Sequence, residues 1–91
     1  MDVVESKYHN FQVFCHNILP ENKYVMMLQK VPLNLFLQEI KAKNDDNKEA
    51  EVICDLIFVE AEIDKTKLGE AEIQKFARYV EYFRAVLKSL G

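Results

Sequence analysis

Glycine and proline are scarce in this sequence, two of each among 91 residues, and tryptophan is absent. β sandwiches and barrels turn often and place these residues at their turns, so the scarcity speaks against an all-β fold. It also removes the loops that cradle phosphates: neither GxGxxG nor GxxxxGK can be read anywhere in the chain. Nucleophiles are equally few. Ser6 and Ser89 are the only serines, and Cys15 and Cys54 the only cysteines. Cys15 adjoins His16, but neighbouring residues of a helix point about 100° apart and do not make a nucleophile–base pair. No stretch approaches the roughly 20 apolar residues of a membrane span. The first residues lack the basic and apolar segments of a secretory leader. The expectation is a cytoplasmic protein with two buried free thiols and no membrane association.

A basic excess is missing too. Fifteen acidic residues face 12 basic ones, for a formal charge of −3. The lysines are scattered among acids, which disfavours nucleic acid as a partner and leaves a nucleic-acid-binding transcriptional regulator as the alternative function. A helix-turn-helix can be drawn through residues 24–31, Pro32 and residues 33–43. Its second helix would present Asn34, Gln38, Glu39, Lys41 and Lys43, without one arginine.

What is present is apolar periodicity. With 49% hydrophobic and 30% charged residues the chain is globular, and its length suits one domain spanning residues 1–91. Val4, Tyr8, Phe11, Cys15 and Ile18 recur at spacings of four and three, the face of one helix over residues 2–19, with Val3 and Phe14 widening it. Asp2 suits the cap of that helix and Pro20 its end. Residues 21–31 read as a second helix with Tyr24, Met27, Leu28 and Val31 on its apolar face, and Met26 and Met27 are expected in the core. Pro32 suits the first turn of a third helix, where its missing N–H costs nothing; Leu33, Phe36, Leu37 and Ile40 form its seam, and Glu39 and Lys43 form an i,i+4 pair.

Residues 44–47 read as a loop, and Asp46 followed by Glu49 has the shape of a capping signal. In residues 52–59 only Asp55 is not apolar. As a helix this segment, placed over residues 48–65, is expected to be central. The competing reading is a strand, because Val59, Ala61 and Ile63 alternate with acids at period two. Residues 66–69 read as a turn. Residues 70–90 carry the clearest helix, with Ile73, Phe76, Val80, Phe83, Leu87 and Leu90 in one seam, Glu70 and Glu72 at the start and Lys88 at the end. The predicted fold is therefore all-α, a compact bundle of four or five short amphipathic helices; the alternative is α+β with a small sheet from residues 23–28 and 52–63.

The last helix carries a second stripe, Tyr79, Tyr82 and Val86, beside its main seam. A small chain has difficulty burying two seams, and aromatic residues with arginine nearby have the composition of an interface. Arg78, Tyr79, Tyr82, Phe83, Arg84 and Val86 are accordingly the candidate partner-binding residues. They imply a small non-enzymatic protein–protein interaction module, an adaptor, regulator or inhibitor, which binds another protein or itself as a homodimer. No catalytic, cofactor-binding or metal-binding residue is assigned and no cofactor is implied. A small metal- or thiol-site protein is a second alternative, but His9 and His16 stand seven residues apart, about 10 Å along a helix, and only Glu5 and His9 have ligand spacing. The carboxylate pairs Asp45/Asp46, Glu60/Glu62 and Glu70/Glu72 suit solvated loops and helix faces.

Overall fold

The unbroken repeat of threes and fours at the C-terminal end makes the longest element, α5 (Glu70–Leu90). Twenty-one residues at about 1.5 Å each give a rod of roughly 32 Å. That nearly equals the longest extent of the molecule, 35 × 32 × 21 Å. The computed structural model describes residues 2–44 and 48–90. Ahead of α5 come α1 (Val3–Ile18), α2 (Lys23–Leu28), α3 (Leu33–Lys43), α4 (Ala50–Glu60) and one 3-10 turn (Lys65–Lys67). Among the described residues there are five α-helices and no strand, so the fold is the all-α bundle and the small sheet is excluded. The 21 Å thickness corresponds to two helix layers of about 10 Å each.

Packing follows the seams. α5 touches α1, α3 and α4, while α2 lies on α1 and α3 also meets α4. Phe76, Val80 and Phe83 of α5 meet Tyr8 and Phe11 of α1, Phe36 of α3 and Phe58 of α4 in one aromatic core. Ring centroids stand 4.7 Å apart for Phe58–Phe76 and 5.1 Å for Phe36–Phe83, the second edge to face. Such pairs add about 0.5–1.5 kcal/mol beyond burial.

Local chemistry sets the boundaries. The Asp2 carboxylate accepts from the Val4 N–H at 3.2 Å and caps α1. After Pro20, Asn22 caps α2 by accepting from the N–H groups of Tyr24 and Val25 at 2.9 and 3.3 Å. Its amide also donates to the Ala61 carbonyl at 3.2 Å, joining the start of α2 to the end of α4. Two α1 side chains close the other end of α2. Gln12 donates to the Leu28 carbonyl at 2.8 Å and the Tyr8 hydroxyl to the Val31 carbonyl at 2.9 Å. Pro32 precedes α3 as its N-cap, one position earlier than the sequence suggests, and its carbonyl accepts from Leu35 and Phe36. Glu39 and Lys43 do pair, at 3.6 Å, and Lys43 reaches Glu60 at 2.8 Å.

Three expectations need correction. α2 buries Val25 and Leu28 and leaves Met26 and Met27 exposed, so the methionines are not core. α4 is helical but not central. It buries Ile53, Cys54, Ile57 and Phe58, yet Val52, Leu56 and Val59 face solvent at 43%, 39% and 79% exposure. The centre is taken by α5, and a helix packed from one side buries one side. Third, α4 ends at Glu60 rather than near 65. There the Glu62 N–H donates to the Val59 carbonyl and the Ile63 N–H to the Phe58 carbonyl, with Glu62 at φ 56°. This is a Schellman ending without its usual glycine, and it drops Ile63 into the core. The period-two alternation from 59 to 63 comes from that ending, not from a strand. The expected cap at Asp46 lies outside the described residues; α4 begins after Glu49, which makes no side-chain cap.

Candidate functional site

α5 brings the predicted residues onto one side of the bundle, but not all onto its surface. Phe83 is 0% exposed. Its ring lies among Tyr8, Phe11, Phe36 and Tyr82, so it belongs to the core and cannot meet a partner. It is the fourth residue of the main seam, and seam membership outweighs its sequence neighbour Tyr82. Arg84 is half-buried and occupied: Nε donates to Asn44 Oδ1 at 3.2 Å and Nη2 to the Lys48 carbonyl at 2.6 Å. It ties the two ends of the α3–α4 connection to α5. Tyr79, Tyr82 and Val86 are half-buried and Arg78 is exposed.

The tyrosines rest on α1. Tyr79 packs beside Phe11 and Phe14, with centroids 5.2 and 5.6 Å away, and Tyr82 lies edge-on to Phe83 at 5.4 Å. Two lysines lie over rings at the same seam: Lys7 Nζ stands 5.2 Å from the Tyr82 ring centre and Lys75 Nζ 5.0 Å from that of Phe14. Together Lys7, Lys75, Arg78, Tyr79 and Tyr82 line an open groove of about 430 Å³ between α1 and α5. The groove has an aromatic floor and cationic walls. Sequence reasoning missed Lys7 and Lys75. The one available signal was Phe14, which widens the α1 seam toward the side that meets Tyr79.

Other candidate chemistry is dispersed. His9 and His16 are exposed, and among the described residues no three of His, Cys, Asp and Glu stand together as metal ligands. Cys15 and Cys54 are free and buried, and burial pushes both thiols up to about 12, the Cys54 thiol with added repulsion from Asp55 and Glu51. Both are protonated near neutrality, the unreactive form of a thiol. At the surface, Asp64 accepts from the Thr66 hydroxyl and N–H, which holds its carboxyl below the usual range. No helix is long and apolar enough to cross a membrane among the described residues. No known protein family, curated protein or solved structure matches the chain.

Proposed function

We propose that this protein is a non-enzymatic interaction module, an adaptor, regulator or inhibitor, that docks another protein on the Tyr79–Tyr82 face between α1 and α5. The observation that carries the reading is the groove itself. Two half-open tyrosines and three cations flank it, and the chain's own helices leave it uncovered. Tyrosine and arginine are the residue types that dominate binding energy at interfaces. Arg78 stands at the rim and Val86 one turn beyond Tyr82; Phe83 and Arg84 serve the fold. Buried free thiols fit a reducing compartment, and the reading places the module in the cytoplasm.

Self-association rests on a different surface. An isologous dimer through the groove would set Lys7, Lys75 and Arg78 against their own copies, which like charges oppose. The exposed stripe Val52, Leu56 and Val59 on α4 carries no cation, and Asp55 beside it is paired with Lys65 at 3.1 Å, which favours a second copy there.

The test is affinity capture from the native host with wild type and Tyr82→Glu side by side, together with sedimentation at micromolar concentration. The expected result is a protein retained by wild type and lost by Tyr82→Glu, with unchanged far-UV circular dichroism. The same proteins retained by both would refute the tyrosine face. A homodimer dispersed by Leu56→Glu would favour the α4 surface.

A further inference from the structure

Building on the docking role just proposed, we infer that the segment bound in the α1–α5 groove is acidic: a stretch of partner polypeptide with closely spaced carboxylates beside an aromatic or aliphatic side chain. The chain as a whole has more acids than bases, yet the five residues lining this groove include three cations and no acid. Among the described residues the ion pairs involve Lys43 and Lys65, and none involves Lys7, Lys75 or Arg78. Three positive charges therefore share one groove with no acid in its lining and, among the described residues, no ion pair to any of them.

The acids nearest in sequence are turned to other work. The Glu72 carboxylate lies where a Cβ on Gly69 would stand, folded back on the start of α5. That is the reach of a capping-box glutamate. Glu5 lines a separate groove with Tyr8 and Gln12, and Glu81 lies with Glu49 and Glu51 in a groove on the far side of Arg78, which borders both. The cations are also partly ordered before any ligand arrives, because Lys7 and Lys75 lie against Tyr82 and Phe14. Side chains held in place lose less freedom on binding. The tyrosines supply flat apolar area with hydroxyl tips, which accommodates a ring or aliphatic chain between carboxylates.

Size and charge favour a short acidic segment over a nucleic acid. A volume of about 430 Å³ lies in the range of sites for a few side chains. A polyanion running beyond the groove would meet a molecule of net charge −3, whereas a peptide with two or three carboxylates meets chiefly the cations that line it, since charges are screened over about 8 Å at physiological salt.

The experiment titrates 15N-labelled protein with a short synthetic peptide alternating Glu-Glu with Phe, its Lys-Lys-Phe counterpart, and oligothymidine. The expected result is amide shifts clustered at Lys7, Lys75, Arg78, Tyr79 and Tyr82 with the acidic peptide alone. Affinity should fall about tenfold between about 50 and 300 mM salt, and about tenfold or more with Lys7→Glu combined with Arg78→Glu. Lys7→Gln combined with Lys75→Gln, which adds no repulsion, should weaken binding less, and thermal unfolding of each variant checks that it folds. No shifts at the groove, equal binding of the basic peptide, or tighter binding of oligothymidine would overturn the inference. A partner captured through Tyr82 but indifferent to both charge variants would overturn the acidic specificity and leave the docking role standing; retention indifferent to Tyr82→Glu would overturn the docking role itself.

Discussion

Replacing Phe83 separates a core residue from an interface residue. The side chain is fully enclosed, and its ring meets four other aromatic rings at centroid distances of 5.1 to 6.0 Å. Phe83→Ala deletes the ring from a site walled by α1, α3 and α5, which cannot collapse without moving several helices. Such truncations cost about 3–5 kcal/mol. A domain of this length has a total stability of roughly 5–14 kcal/mol, so the variant loses a large share of it. Phe83→Leu keeps most of the apolar volume and forfeits the edge-to-face contacts, at a cost of about 1–2 kcal/mol. The assay is urea unfolding followed by far-UV circular dichroism. With a slope of about 1–2 kcal/mol per molar, the midpoint falls by about 2–4 M for Ala and about 1 M for Leu. Were Phe83 an outward-facing contact residue, either change would stay within about 0.5 kcal/mol. A loss below about 1 kcal/mol for Phe83→Ala, with the slope unchanged, refutes its placement in the core.

Other expected outcomes follow from single contacts. Glu62→Gly relieves a positive φ at the Schellman ending of α4 and should raise stability by about 0.5–1 kcal/mol, read as a thermal midpoint about 2–8 °C higher; no gain would mean that the ending is not left-handed in solution. Arg84→Lys keeps the charge but loses the fork that reaches both Asn44 and Lys48, so it should cost about 1–2 kcal/mol and speed amide exchange at the start of α4; a neutral result would show that this tie is not made in solution. Alkaline pH should destabilise the fold. Burial holds the Cys15, Cys54 and Tyr8 protons to about 12, while the unfolded chain releases its thiol protons near 9 and its phenol protons near 10. The stabilisation is complete below those ordinary values and is lost as pH rises toward 12, with a slope approaching about 1.4 kcal/mol per pH unit for each group. Urea midpoints that stay level from about pH 8 to 11 would contradict the burial of these groups.

The parts of the fold readable in the sequence are those where one helix face suffices to define an element. α5 runs from Glu70 to Leu90 as its repeat requires, and Tyr8, Phe11 and Cys15 of α1 are buried as their spacing predicts. Short elements were less legible. α2 has only six residues, too few for periodicity to fix its phase; the Asn22 cap sets where it starts, and Val25 rather than Met27 turns inward. For α4 the composition showed an apolar helix but not how many neighbours it would have. At the site, Arg78, Tyr79 and Tyr82 were readable because their own helix places them, whereas Lys7 and Lys75 required knowing that α1 lies against the tyrosine side of α5. That is tertiary information, and no single-helix pattern contains it.

The two uncovered surfaces differ in how they tolerate water. At the α1–α5 groove the exposed edge is made of tyrosine rings and lysine stems, which carry apolar area but end in groups that water can solvate. Lys7 stands over the ring of Tyr82, its Nζ 5.2 Å from the ring centre, which sets a solvated charge beside that apolar face. On α4, Val52, Leu56 and Val59 themselves present only hydrocarbon, and the charges beside them, Asp55 and Lys65, are already paired with each other. A surface that is content in water and ready for charge suits a partner that comes and goes, while a dry stripe gains most from lasting burial. On the docking reading the consequence is a difference in salt response. Occupation of the groove weakens as ions screen its cations, and contact through α4 strengthens as salt favours apolar burial. A single complex measured at low and high salt therefore reports which of the two faces holds it.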